Sequence, residues 1–569
     1  MEIKEKYDVV IAGGGLAGLT LALQLKQTKS DISILLLEKL IHNAPVATHK
    51  VGESLSEMGA YYLREVLNLK EYLTEHQLPK FGFRFFFSPE HSQNIARRVE
   101  VGSKIPNPFP SHQIDRGLLE NELVCRLIDI DVEIVLGAIV TDIELSEAGH
   151  KIHFGKRNNK YHTEAKWIVD STGRNGLLKK KLGLKKEIDH DINSSWFRLD
   201  AVIDIDDWSD NPTWRNFVDP GRRRLATNHL MGEGYWVWII PLVAGKTSIG
   251  IVADPKYHPF NEFNTFEKAM LWLEKHEPLA AIMLGKHKEK QMDFKVMKHF
   301  AYDTKQFYSA DRWAVTGEAG AFMDPFYSPG SDFIGLSNSW ITDLIVRDIS
   351  GENIALRTLI FDLAHKEFLS GWMTLYRNMY GLFGKTQIML MKISWDWAAY
   401  WAVPNVLFMN KGYTDIDILK KYTSSTTAIG RRFAKLNERM QELFRTWGQY
   451  DIKPCSNHQQ NVFELNCLRK FQTELGLQYN SGQLIAKVES NMEILEQISA
   501  EIFRLVSAHI NETPEDMKVD PYNMKIDDGK DELLKKAKSQ NALGVVEQIR
   551  NDIAIMWLIN SKTSKNEFA

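Results

Sequence analysis

Residues Gly13-Gly14-Gly15-Leu16-Ala17-Gly18 constrain the fold more than any other feature of this chain. They lie between an apolar strand at Tyr7 to Ala12 and a helix through Leu19 to Leu25, and a second strand at Ile32 to Leu37 ends in Glu38. This strand, glycine turn, helix and strand form the start of a βαβ unit that binds dinucleotides. Gly13 permits the tight turn, Gly15 lets the backbone approach a pyrophosphate, and Gly18 lets helix and strand pack closely. Leu16 and Ala17 open the helix, whose N-terminus faces the phosphate charge. Glu38, followed by Lys39, stands where a carboxylate accepts both hydroxyls of an adenosine ribose, which disfavours a 2′-phosphate. At this point FAD and NAD both remain possible.

The 569 residues exceed what one hydrophobic core usually supports, so an α/β domain with additions is expected. A formal net charge of −3 carries no polyanion signature, and nucleic acid is not an expected partner. Cys125, Cys455 and Cys467 show no metal-ligand or dithiol spacing and read as buried small hydrophobes in a reducing compartment. The charged N-terminus lacks the pattern of a secretory signal, and the apolar stretch Trp395 to Met409 is too short and interrupted to span a bilayer. A cytoplasmic protein without a membrane span is therefore expected.

A helix and strand within Gln113 to Val135, a hairpin from Val140 to Phe154 and a strand at Trp167 to Val169 would complete a doubly wound sheet. β-rich segments at Trp196 to Ile205 and Tyr235 to Ile251 predict a second sheet over a pocket. The predicted fold class is α/β: a doubly wound FAD-binding (GxGxxG) fold with a β-rich substrate-domain sheet and an appended C-terminal helical region. Residues 1–345 form the first module, with FAD segments at about 1–60, 110–185 and 300–345 and substrate-sheet segments at about 61–109 and 186–299. An aromatic-rich helical region, 346–411, and a helical domain, 412–569, follow.

Three later segments select the flavin. Ser111 to Leu119, with Arg116, resembles the stretch of flavoprotein hydroxylases in which an arginine lies near the flavin and phosphates. Asp170-Ser171-Thr172-Gly173-Arg174 and Gly317-Glu318-Ala319-Gly320 resemble two further elements of that family, in the same order. In the last of these the acidic residue meets the ribityl chain, and Glu318 replaces the usual aspartate. The resemblance implies FAD.

Trp236-Val237-Trp238-Ile239-Ile240-Pro241 fits WxWxIP, and Phe322 to Gly330 fits FxxPxxSxG; both resemble signatures of flavin-dependent halogenases. Lys50-Val51-Gly52-Glu53-Ser54 resembles that family's segment near the isoalloxazine, and Lys80-Phe81-Gly82 its K-x-G element. The resemblance implies that reduced FAD, oxygen and halide give hypohalous acid, which Lys80 guides to an aromatic substrate. It places Val51, Glu53, Ser54, Pro325, Gly330 and Ser331 at the flavin and Gly330 and Ser331 at the halide. A separate flavin reductase is then an implied partner, and the substrate is free or tethered to a carrier protein.

Two positions depart from the family pattern. Tyr327 stands where tryptophan halogenases carry a glutamate, which points to a phenolic or other electron-rich ring. Pro329 removes one backbone donor from the halide nest. Trp236, Trp238, Tyr327, Trp397 and Trp401 are candidate pocket residues, although aromatic density from Tyr376 to Met409 also suits a core between domains. Lys392 and Asp396 have the spacing of a helical ion pair. A halide-independent monooxygenase, a reductase resembling geranylgeranyl reductases and a flavin-binding scaffold are the rival readings.

Overall fold

Lys6–Ala12 is the central strand of the first sheet, with Ile34–Glu38 and Asn159–Asp170 paired parallel on either side. Strands covered on both faces need successive apolar residues rather than alternate ones, and Val9 to Ala12 is an unbroken, fully buried run. The order across this sheet is Tyr308–Ser309, Trp313–Val315, Asn159–Asp170, Lys6–Ala12, Ile34–Glu38, Glu133–Leu136. The expected hairpin, Ala138–Glu144 with His150–Lys156, feeds Asn159–Asp170. Helix Leu16–Thr28 packs between Arg116–Asp129 and Gly330–Ile349. This computed structural model describes residues 3–423, 428–450, 456, 458–511, 518–523, 525–527 and 548–553.

The second sheet runs Gln291–Met297, Asn193–Leu199, Lys246–Ala253, Tyr235–Leu242, Thr227–Gly232, Phe83–Phe86, Glu100–Gly102, Gln459–Asn461. The β-rich stretch after Tyr235 resolves into two antiparallel strands around a turn at Val243–Gly245. Side chains alternate across a strand. Tyr235, Val237 and Ile239 therefore enter a satellite core with Phe197, Ile251 and Trp272, while Trp236, Trp238 and Ile240 join the main core.

The C-terminal helices are more than an appendage. Gln459–Asn461 pairs parallel with Glu100–Gly102 and extends the second sheet. Trp395, Leu436, Phe444 and Leu495 belong to the same hydrophobic core as Val9 and Leu36. Trp395 to Met409 is buried except for half-buried Tyr400, with a π-helical turn at Trp401–Asn405 that accommodates Pro404. Among the described residues no helix is long and apolar enough to cross a membrane.

The cysteine expectation needs correction. Cys125 is exposed, because it falls on the solvent side of helix Arg116–Asp129, whose buried face carries Leu119, Leu123 and Leu127. Cys467 is half-buried, and Cys455 lies outside the described residues.

Candidate active site

The glycine loop has the geometry that its spacing predicts. Gly13 has φ +111°, and a Cβ there would lie 2.3 Å from the Ser171 carbonyl oxygen. A Cβ on Gly18 would lie 2.1 Å from the Gly13 oxygen. Around Gly15 a Cβ would meet only the Lys50 Nζ, so the backbone is open to a ligand. Gly15 caps helix Leu16–Thr28 without a side-chain acceptor, leaving its first amides for an anion. Glu38 accepts the Gly14 amide at 2.6 Å and the Leu40 amide at 2.8 Å, and a carboxylate so placed keeps lone pairs for ribose hydroxyls. Lys39 is exposed.

Asp170 fixes the second element of this cleft by accepting Thr172 and Leu178 amides at 2.9 and 2.8 Å, while the Ser171 hydroxyl donates to the Gly13 carbonyl at 2.7 Å. Arg116 opens its helix beside the loop. Its guanidinium donates to the Val51 carbonyl at 2.9 Å and to Glu120. Burial pushes the Glu120 carboxyl up, but Arg116, His49 and Lys50 outweigh it and hold the group well below the usual carboxylate range. Glu318 is different. Its carboxylate has no hydrogen bond or ion pair with any described residue, and burial raises its pKa against the charges of Arg174, Arg116, Lys50 and Lys179. An unpaired acceptor within a ring of cations suits the polyol and pyrophosphate of a flavin dinucleotide. Gly317, at φ +58°, holds this turn against Ala17. These residues fit FAD.

Glu53 does not offer its side chain to that cleft. It is buried in the second sheet, where it accepts Arg198 Nε at 2.9 Å and the Ser248 hydroxyl at 3.0 Å. The Ser54 hydroxyl bonds that of Thr227 at 2.8 Å. This segment meets the cleft through its backbone, as at the Val51 carbonyl.

Lys80 ends the short strand Leu78–Lys80, pairs with Ser111 across Ser111–Gln113 and is only 6% exposed. Its ammonium donates to the Leu55 carbonyl at 2.7 Å and sits 3.5 Å from the centroid of the Phe83 ring. Burial pulls its pKa down to about 7, opposed by the charges of Glu57 and Asp332. Asp332, in the first turn of helix Gly330–Ile349, accepts the Gly59 amide at 2.8 Å, the Tyr400 hydroxyl at 2.6 Å and the Ser56 hydroxyl. Its own burial pushes it up to about 7.

The Phe83 ring that covers Lys80 also lines a cavity of about 460 Å³. Buried Tyr327, Trp397, Asp396 and Glu57 and half-buried Tyr400 line one part of it, and exposed Arg377, Arg431 and Lys435 another. Asp396 accepts Lys392 Nζ at 2.5 Å, the Tyr327 hydroxyl at 2.8 Å and Gln441 Nε2 at 2.7 Å. The expected helical pair is thus a buried cluster that anchors Tyr327. Replacing Asp396 by alanine would strand the Lys392 charge, and a loss of about 3–5 kcal/mol is expected in a denaturant titration. Unchanged stability would show that Lys392 is neutral when folded.

Of the five aromatic pocket candidates, Tyr327 and Trp397 line this cavity, whereas Trp236, Trp238 and Trp401 do not. Trp236 donates to the Tyr380 hydroxyl at 3.1 Å, Tyr380 donates to Asp324 at 2.6 Å, and His190 lies 2.8 Å from the same carboxylate. This chain ties the WxWxIP strand to the Asp324-Pro325 loop. Trp238 donates to Ser248 at 3.2 Å, and Trp401 stacks on Trp397 with centroids 5.9 Å apart. Beyond Pro325, Tyr327 and Ser328 take φ +72° and +57° and turn the chain into the helix at Gly330. Pro329 is the N-cap, so Gly330 and Ser331 supply the first two helical amides, which have no described acceptor. The open space around Gly330 leaves its amide accessible, while the Ser331 side chain packs on Gly59. The donor missing at Pro329 therefore does not abolish the anion-favouring end of a 20-residue helix.

Glu57, Phe83, Asp332 and Tyr400 were not apparent as site residues from sequence. Glu57 reads as an ordinary acidic residue in a helical first turn, and no spacing links these four positions.

No protein-family model matches the chain. A flavin-dependent halogenase, chlA, of Dictyostelium discoideum is 26% identical over 371 residues, which cover 60% of this chain and 60% of that protein. The chain thus spans less than two thirds of that relative's length. A 1H-pyrrole-2-carbonyl-[peptidyl-carrier protein] chlorinase of Pseudomonas fluorescens is 27% identical over 345 residues, covering 57% of this chain and 72% of the relative. The crystal structure of halogenase PltM superposes with a TM-score of 0.61 at 17% identity, covering 85% of this chain and 96% of that one. Over its matched portion the chain is similar in sequence to flavin-dependent halogenases, it is similar in fold to halogenase PltM, and its cofactor is FAD.

Proposed function

We propose that this chain is a flavin-dependent halogenase acting on a phenolic or other electron-rich aromatic ring. The observation that carries this reading is Lys80, a buried ammonium separated by one phenyl ring from an aromatic-lined cavity of about 460 Å³. The Gly15 backbone and the amides of helix Leu16–Thr28 would hold the pyrophosphate, Glu38 the ribose and Glu318 the ribityl chain. Reduced FAD with oxygen supplies the oxidising equivalent that turns halide into hypohalous acid. The Gly330 and Ser331 amides would hold the halide, and Lys80 would donate a hydrogen bond to the hypohalous acid from behind the Phe83 ring. Phe83, Tyr327, Trp397 and Tyr400 orient the ring and exclude water.

A separate reductase supplying reduced flavin and a cytoplasmic location belong to this reading. The pyrrole relative's name adds a carrier-tethered ring as a second substrate form. The test supplies reduced FAD, oxygen and bromide or chloride with phenols and a carrier-bound pyrrole. A product whose mass and isotope pattern show one halogen is expected. Pro329, which withholds one donor from the halide nest, favours the monooxygenase as the second reading. Hydroxylated product formed equally without halide would establish it instead.

A further inference from the structure

We infer that Glu57 is the catalytic base for the ring, accepting the proton that the substrate carbon loses as it is halogenated. The inference rests on the halogenase reading and assigns a further residue to the same site.

A halogenated ring must shed a proton at the carbon that gains the halogen, and a carboxylate on the cavity wall is placed to take it. Each buried acidic group around the cavity has a describable occupation except one. Asp396 is filled by Lys392, Tyr327 and Gln441. Asp332 is filled by Ser56, Gly59 and Tyr400 and does not line the cavity. Tyr327 donates its own proton to Asp396. Glu57 lines the cavity, is 6% exposed, and makes no hydrogen bond or ion pair with any described residue. A carboxylate on a cavity wall with no described hydrogen-bond partner keeps its lone pairs for a ligand. Glu57 opens the helix Glu57–Tyr61 two residues after Leu55, whose carbonyl accepts the Lys80 ammonium, and Gly59 of the same helix bonds Asp332, so it stands beside the lysine.

The balance of the step is complete with hypohalous acid as oxidant. A ring π pair forms the C–X bond while the O–X bond breaks, its electrons going to oxygen. That oxygen leaves as water, with a proton from Lys80. The ring C–H bond then breaks, its electron pair restoring the aromatic system and its proton passing to a Glu57 carboxylate oxygen. Glu57 thereby supplies, from the segment after Leu55, the carboxylate that Tyr327 does not provide. A cavity with a base on one wall and an ammonium behind Phe83 suits an uncharged ring better than a carboxylated one.

The test compares wild type, Glu57→Gln and Glu57→Asp as flavin-loaded holoenzymes, with bromide and a phenol that the wild type halogenates. Two quantities are read: ring product relative to hypohalous acid captured by a small soluble trap, and the isotope effect with a ring-deuterated phenol. In Glu57→Gln the ratio is expected to fall on the order of 10²-fold. A primary deuterium isotope effect absent from wild type should appear, because proton loss has become slow. Glu57→Asp should retain an intermediate ratio, and it decides the matter if the glutamine variant does not load flavin. An unchanged ratio, or a fall without an isotope effect, overturns the inference. Wild type that yields no halogenated ring with any substrate overturns the halogenase reading first, and this inference with it.

Discussion

Lys80→Met is expected to lose ring halogenation on the order of 10²- to 10³-fold while making the protein more stable. The loss follows from position, since among the described residues no other ammonium lies against Phe83. The stability follows from linkage. The Lys80 pKa falls from 10.5 to about 7 on folding, so between those values the unfolded chain binds more protons and stability rises with pH. Below about 7 the cost of the buried charge is fully present; it is relieved as pH approaches 10.5. Methionine keeps the length of the side chain without the charge, and a gain of roughly 1–4 kcal/mol is expected at pH 6, disappearing by pH 10. Melting temperatures at the two pH values check this. A variant less stable at pH 6 would show that the Leu55 carbonyl and the Phe83 ring outweigh the desolvation. Wild-type halogenation is expected to fall as pH rises through about 7, because the ammonium is lost. A rise over that range would assign the chemistry to the neutral amine.

Gly13→Ala should unfold the cofactor cleft before FAD is considered. The substituted residue would hold a positive φ and drive its Cβ to 2.3 Å from the Ser171 carbonyl, a backbone atom that cannot swing aside. Together these are expected to cost about 2–4 kcal/mol in the apoprotein. Gly15→Ala makes the contrast. Its Cβ meets only the mobile end of Lys50, so the apoprotein should melt as wild type does. FAD should nevertheless bind roughly tenfold or more weakly, an energy of ~1.4 kcal/mol, because the pyrophosphate loses its close approach. Apoprotein melting and retained flavin absorbance separate the two effects. Equal melting of both variants would remove the distinction between fold glycine and ligand glycine.

Position in the network sets the size of these effects more than residue type does. Glu53, Glu57, Asp332 and Asp396 are all buried carboxyls, yet Glu53 and Asp396 are paired with Arg198 and Lys392 and Asp332 is fully hydrogen-bonded. Only Glu57 among the four combines a cavity surface with no described partner. Similar chemistry therefore serves packing at three positions and a ligand at the fourth.

The dinucleotide half was legible because its determinants are local. Gly13, Gly15, Gly18 and Glu38 act through turns and registers spanning a few residues, and the sequence carries both the glycines and the strand that presents the carboxylate. The Lys392 and Asp396 pair was legible for the same reason, one helical turn separating the two. The tryptophans were not: the alternation of Tyr235–Leu242 indicates two faces, but only the packing of Asp324, Tyr380 and the satellite core decides what each face meets. Nor does sequence place Lys80 under Phe83, or bring Glu57 and Tyr400 to one cavity from segments more than 300 residues apart. By itself the sequence determined the cofactor loop and, through its K-x-G resemblance, singled out Lys80. Tertiary structure decided the environment of that lysine and which carboxylate stands free, because burial and partnership depend on contacts between distant segments.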